Sequence, residues 1–424
     1  MKYLLYDVAT TVAAPALAAW LAVRRKHRPL LGRLVPSAPD LSGKGYIWVQ
    51  ACSVGEVGTA LPMVAALRAR LPDRPILLTT STVTGHALAE KRLRDAALAW
   101  FPFDHRWSVN RFLEQAAPAI LVLVETELWP NVIRLAAQRG VPVVIVNGRI
   151  SDKHIDRYRR FKWFLRPVFA SLSAVGMQNS EYAERAAELG VPESSIYVTG
   201  NTKFDGVVTE LDASEQRALR EEMGLAPDEP VLVFGSTRPG DEELAARCWA
   251  VLRDEFPRLR LVLAPRHLDR LREALAPFDG PILHRSQVKE GRRSAGERVL
   301  VVDTLGELVR FYGLATVAVI GGSFYRGVNG HNPLESAALG VPTVFGPFMR
   351  NFTDPARVLV EARGACQVDG PDALLDELRG LLSAPENATE MAQRGREAIA
   401  ANQGAIARNV DLIADALRAA AGDV

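Results

Sequence analysis

Cysteine is scarce in this chain. Its 424 residues hold three, Cys52, Cys248 and Cys366, far apart, with no CxxC and no histidine at ligand spacing. That spacing indicates neither a disulfide framework nor a zinc site and fits a reducing cytoplasm. Net charge is nearly absent as well: +2 overall gives no global argument for nucleic acid as a partner. No secretory signal is convincing, because the basic residues near the start follow the apolar run instead of preceding it. The second half lacks GxGxxG after its first strand-like run, which argues against a dinucleotide dehydrogenase.

What is present is the composition of a soluble protein, 24% charged and 48% hydrophobic, in a chain long enough for two or three domains. Residues 1–33 stand apart. Val8 to Val23 carry no charge, Tyr3, Tyr6 and Trp20 flank or end that run, and Arg24, Arg25, Lys26, His27 and Arg28 follow it; Lys2 and Arg33 add to the basic count, against the single acid Asp7. Sixteen uncharged residues fall short of the ~20 of a spanning helix, so spanning and dipping both stay open. The basic flank keeps the body of the protein on the cytoplasmic side in either case. A buried N-terminal helix is the alternative to a membrane anchor.

From Tyr46 to about Thr202, strand-like runs alternate with amphipathic stretches: YIWVQ, PILLTT, AILVLVE, VPVVIVN, AVGMQ and SIYVTG. Continuous apolar strands separated by helices imply a parallel sheet covered on both faces. Polar groups follow each run, in TTSTVTG, ETELWPN, NGRISD, QNSE and GNTKFD, and such strand ends line one crevice in open α/β sheets. A polar stretch, residues 206–230, reads as a linker. The alternation restarts with VLVFGS, LRLVLAP, RVLVVD, TVAVIGG and VPTVFG. The expected class is therefore α/β: two doubly wound, Rossmann-like domains facing a central cleft, 34–205 and 231–400, with an N-terminal hydrophobic helix over 1–33. A C-terminal helix over 401–424 is placed to cross back to the first domain.

In the first domain WVQACSVGEVG presents one acid, Glu56, after a turn of small residues that includes Ser53. It is a general-base candidate or simply an acid complementing the helix dipole. In the second, GGSFYRGVNGHNPLESAALGVP (321–342) puts Gly322, Ser323 and His331 before a helix expected to open at Asn332 and Pro333, with Leu334 and Glu335 in its first turn. Free amides at such a start suit a phosphate and the acid suits ribose hydroxyls. Ser236 and Thr237 are able to cap a helix or bind phosphate, Arg266 and His267 pair a fixed cation with a titratable ring, and Gly306 and Leu308 in DTLGEL offer backbone groups to a base edge.

Together SVGE, ETELWPN, NGR, GNTKFD, GST, APRH, DTLGEL and HNPLE, in this order and over nearly the full length, resemble the 3-deoxy-D-manno-octulosonic acid (Kdo) transferases of Gram-negative lipid A assembly. The resemblance implies a GT-B fold, CMP-Kdo as donor, a lipid A precursor of lipid IVA type as acceptor, and inversion at the anomeric carbon with neither cofactor nor essential metal. It also implies attachment to the cytoplasmic face of the inner membrane through the N-terminal helix and basic cluster. By motif, Glu56 corresponds to the general base, and Glu125 and Lys203 to positions that stabilise the transition state. Glu127 lies in the same ETELWPN string. Pro265 with Arg266, Gly306 to Leu308 (Glu307 between them) and Asn332 to Glu335 correspond to the segments that hold CMP. The chain departs from the family at Gln50, commonly histidine, and at Val328 and Asn329, where a second glycine pair is usual. Two other readings remain: a GT-B-like sugar-nucleotide epimerase, and a membrane-tethered nucleotide-binding scaffold without turnover.

Overall fold

The computed structural model describes residues 2–38, 45–94 and 96–422, so Met1, residues 39–44, Asp95 and the last two residues of the expected spans lie outside it. The chain divides into two compact units, Met1–Asp205 with Gln403–Val424, and Gly206–Asn402. Residues 206–230 do not hang free. They hold the helix Ala213–Glu222, whose Leu219, with Met223 after it, is fully buried in the second unit. The C-terminal helix Ala405–Ala421 packs Val410 and Ile413 into the core of the first unit.

Seven parallel strands form the first sheet: β1 Ile47–Gln50, β2 Ile76–Thr80, β3 Ala97–Trp100, β4 Ile120–Val124, β5 Val143–Gly148, β6 Ala174–Met177 and β7 Ile196–Val198, in the order β3-β2-β1-β4-β5-β6-β7. β1, β2, β4 and β5 are buried on both faces, which is why their sequences read as unbroken apolar runs. Trp48 packs on one face with Phe101 and Phe112; Ile47 and Val49 pack on the other with Val57 and Met63. Each such side chain contributes roughly 1.5–3 kcal/mol by leaving water. β3 is an edge strand that the sequence pattern does not show, being four residues long and mostly half-buried.

The second sheet comprises β8 Val231–Thr237, β9 Arg260–Pro265, β10 Ile282–His284, β11 Val299–Val301, β12 Val317–Ile320, β13 Thr343–Phe345 and β14 Cys366–Gln367, in the order β10-β11-β9-β8-β12-β13-β14, again all parallel. The two strands absent from the sequence reading, β10 and β14, are its edges. Each sheet reverses its strand order once beside its first strand, between β1 and β4 and between β8 and β12. Ligands of open α/β sheets bind at such points, beyond the carboxyl ends.

The N-terminal helix Lys2–Val23 is apolar and mostly exposed, with a mean hydropathy of 1.4 over its best window. One face is fastened to the first unit. Tyr3 donates to Phe164 O (3.0 Å), Tyr6 to Asp104 Oδ2 (2.7 Å), and buried Asp7 pairs with Arg106 (3.3 Å) and Arg134 (3.2 Å). Leu4, Leu5, Val8 and Val12 face outward.

Candidate active site

β1 ends at Gln50. Ala51 and Cys52 turn the chain, Ser53 takes an extended backbone, and the helix Val54–Arg70 begins. The Ser53 N–H donates to Glu56 Oε2, so the acid of the first turn folds back over its own helix start. On the neighbouring strand, Glu125 follows β4 with φ 62°, a left-handed backbone uncommon for any residue carrying a Cβ, its N–H bound to Val146 O at 2.9 Å. The chain thereby reverses, and Glu127 comes back towards β1. It accepts from Gln50 Nε2 (3.2 Å) and from Trp129 Nε1 (3.0 Å).

The result is a concentration of negative groups in a poorly hydrated place. Cys52 Sγ and an oxygen from each of Glu56 and Glu127 lie within 4.8 Å of one another. Burial, then the charges of Glu127 and Glu125, push Glu56 up to about 7 against the Ser53 hydrogen bond. Glu125 is also raised, by burial first, while Lys203 and Arg149 oppose the rise. Burial and the two acids push the Cys52 thiol up to about 12, so it stands as a neutral thiol.

The Lys203 charge bears on Glu125, and a network of amides holds the loop that carries it. Asn147, buried with φ 53°, accepts the Thr202 N–H on its Oδ1 (3.1 Å), and its carbonyl receives Gln178 Nε2 (3.0 Å). Gln178 in turn accepts from Asn201 Nδ2 (3.0 Å), and Asn201 Oδ1 takes the Lys203 N–H (3.0 Å). From the C-terminal helix, buried Asn409 accepts from Asn147 N (3.3 Å) and Thr199 Oγ1 (3.0 Å). The last helix thus braces the loops that carry Lys203.

Gln50 is wholly buried and fully used. Its Oε1 accepts from Thr79 (2.7 Å), whose oxygen accepts from Trp48 Nε1 (2.8 Å), and its Nε2 reaches Ser81 Oγ (2.9 Å) besides Glu127. Here the amide supplies no titratable group; it supplies a donor to Glu127.

In the second unit the loops beyond β8, β9 and β12 bring cations together with buried carboxylates. A Cβ on Gly321 would lie 2.5 Å from Ser236 O, so glycine permits the two strand ends to approach. Ser236 takes φ 56°, and Thr237 donates to Glu242 (2.9 Å). Arg238 contacts His267 and His331 (3.4 Å to the latter). Burial and the cations Arg238 and Arg266 hold His331 down to about 4, leaving it neutral at pH 7. Buried Asp241 binds the amides of Gly322 (2.6 Å) and Arg238 (2.9 Å). Asn332 bonds Glu335 (3.2 Å), a carboxyl raised by burial and opposed by that bond and by Arg266.

Several expected residues fall elsewhere in role. The helix after HNP is one turn, Leu334–Ala337, with Pro333 at the N-cap rather than inside it. Asn332 Oδ1 already occupies the Leu334 amide (3.1 Å), so less of the helix start is open to an anion, and the cations nearby carry that capacity instead. Ser323 is buried, its hydroxyl spent between Ile320 O (2.5 Å) and the Gly346 amide (2.8 Å). The Glu307 carboxylate is tied up by Arg285 (3.2 Å), Arg310 (3.3 Å), Lys289 (3.4 Å) and Thr304, leaving backbone at half-buried Leu308 and at Gly306 (φ 82°) to face a ligand. Pro265 ends β9 and Arg266 follows it, exposed. Asn329 adopts φ 68°, and Val328 O accepts from Asn351 (3.0 Å).

By sequence Arg33 only adds to the basic count near the start. It is buried, bonding Phe101 O (2.9 Å) and Ser81 O (3.0 Å) over the Phe103 ring, and burial lowers it to about 10 while Cys52 and Glu127 counteract. Nothing local marks it. Asn147 and Arg149 had a signal, the NGR string that closes β5, whose first residue takes a left-handed backbone and whose last bonds Thr126 (2.8 Å) through its amide.

Residues 24–206 match the family described as 3-deoxy-D-manno-octulosonic-acid transferase (kdotransferase). The 3-deoxy-D-manno-octulosonic acid transferase of Bordetella pertussis is 33% identical, covering 97% of this chain and 98% of its own. That of Haemophilus influenzae is 32% identical over 87% and 86%. Among solved structures, a glycosyltransferase from Rickettsia africae superposes with a TM-score of 0.58 at 10% identity, covering 90% of this chain and all of that one, a likeness of fold alone. The chain belongs to the 3-deoxy-D-manno-octulosonic acid transferase family, glycosyltransferases with two parallel α/β units in a GT-B fold.

Proposed function

We propose that the protein moves Kdo from CMP-Kdo to a lipid A precursor at the cytoplasmic face of the inner membrane, with inversion at the anomeric carbon. The observation that carries this reading is Glu56: an acid at the sheet's reversal point, half-buried among other carboxylates, with its proton affinity raised to about 7. A sugar hydroxyl attacks poorly until a base takes its proton, and a base with a pKa near the working pH does so best. In the reaction, the acceptor oxygen bonds to Kdo C2, Glu56 takes the hydroxyl proton, and the C2–O bond breaks with its electron pair leaving on CMP. Lys203, held beside Glu125, meets negative charge at the reacting centre. Arg238 and Arg266, with neutral His331, bind the phosphate, while the Gly306 and Leu308 backbone and Asn332 to Glu335 hold the nucleoside. The reading routes no step through a metal ion or cofactor. The exposed apolar face of the N-terminal helix, with Arg24, Arg25, Lys26 and Arg28 after it, meets the bilayer.

The test is product analysis: wild-type protein, CMP-Kdo and a lipid IVA-type acceptor, read by mass spectrometry with the anomeric configuration assigned by NMR. A mass gain of whole Kdo residues in inverted linkage is expected. An unchanged acceptor alongside epimerised UDP-sugar would overturn the reading.

A further inference from the structure

Resting on the reading of Glu125 and Glu127 as part of the reacting site, we propose that Tyr6 and Asp104 form a strut that makes the N-terminal helix a working part of that site. Asp104 is buried and sits in the turn after Phe103, far in sequence from both elements it joins. Its Oδ2 accepts from the Tyr6 hydroxyl (2.7 Å) and from the Asn131 amide (3.1 Å), its Oδ1 from the Val132 amide (2.8 Å), and its carbonyl from Asn131 Nδ2 (3.0 Å). Those two amides open the helix Pro130–Gln138, so a carboxylate borrowed from another segment caps it. The residues immediately before that helix are Glu125, Thr126, Glu127, Leu128 and Trp129, and Trp129 itself bonds Glu127.

A second connection runs in parallel. Asp7 pairs with Arg134, one turn further along the same helix, and Arg134 Nη2 returns to Asn131 Oδ1 (2.8 Å). Tyr6 and Asp7, neighbours in the second turn of the apolar helix, therefore both reach the few residues that fix where the carboxylate loop starts its helix. An anchor alone would need no such contacts; apolar packing or a flexible tether would serve. The strut positions the loop, and Tyr6 and Asp104 are positioning residues that touch neither substrate.

The test uses the full-length Tyr6→Phe variant, which loses one hydroxyl and keeps its ring against Phe164. Turnover is measured in detergent with CMP-Kdo and a lipid IVA-type acceptor, so that membrane binding does not limit the rate, and sedimentation with anionic phospholipid vesicles is measured separately. The expected result is a kcat about five- to tenfold lower, an unchanged KM for CMP-Kdo and unchanged vesicle binding, because loss of alignment costs rate more than affinity. Asp7→Asn should act in the same direction. Wild-type kcat in Tyr6→Phe overturns the strut, as does a fall no larger than the fraction unfolded at the assay temperature. If Glu125→Gln and Glu127→Gln both turn over normally, the underlying reading of the loop fails instead.

Discussion

The two sheets are alike in strand number, direction and the presence of one order reversal beside the first strand, yet the loops there differ in charge: acids dominate in one, cations with acids in the other. Beyond β1 and β4 stand Glu56, Glu125 and Glu127; in the second sheet Arg238 follows β8, Arg266 and His267 follow β9 and His331 lies beyond β12, with the buried acids Asp241 and Glu242 beside them. Burial acts on both, but the consequence differs. Burial and then crowded acids hold the Glu56 proton into the neutral range; burial and then crowded cations drive the proton off His331 and leave a neutral ring among fixed positive charges. The same architecture presents different chemistry in the two units because short loops after the strands, not the strands, carry the charge.

Exchanging the properties of the two regions should separate turnover from binding. Glu56→Gln removes the base and should lower kcat by about 10²–10⁴-fold while CMP affinity, followed by calorimetry, stays at the wild-type level. Arg266→Ala should do the reverse, weakening CMP by about 10- to 100-fold through loss of a charge-assisted contact, with a smaller effect on kcat at saturating donor. A finer test is Glu127→Gln. It takes a negative charge from beside Glu56, lowers that acid's proton affinity, and should move the acid limb of the kcat/KM profile from near pH 7 to about one pH unit lower.

The smallest effect is on stability. Because the folded protein raises Glu56 above its unfolded value, its contribution is greatest below the ordinary carboxylate range and is lost as pH rises through about 7. Glu56→Gln should therefore be more stable than wild type at pH 8, by about 1–3 kcal/mol, and show little difference at pH 4. Thermal melts at the two pH values check this. A gain independent of pH would show that the acids in the first unit are not competing for a proton.

How much of this was readable beforehand follows the physics of each element. Central strands such as Ile120–Val124 and Val231–Thr237 announce themselves, since burial on both faces demands an apolar run. Edge strands of two to four residues, Ala97–Trp100, Ile282–His284 and Cys366–Gln367, carry too little pattern to find. Residues 206–230 looked polar enough for a linker, yet the apolar residues Leu219, Met223 and Leu225 suffice to bury one side of that stretch. Glu56 and Glu125 were legible because strand ends and turn residues mark them. Arg33 and Asp104 were not, because each finds its partners dozens of residues away, and no local rule links Tyr6 to Asn131 or Arg33 to Phe101.

One consequence concerns the apolar helix itself. Asp7, in its second turn, and Arg33, ten residues after its last, are both buried in the same folded body. A chain fastened to one body on either side of an apolar segment enters and leaves a bilayer through the same face. With those contacts kept, Tyr3–Val23, long and apolar enough by length and composition to cross a bilayer, has both its entry and its exit tied to one side of any bilayer it meets.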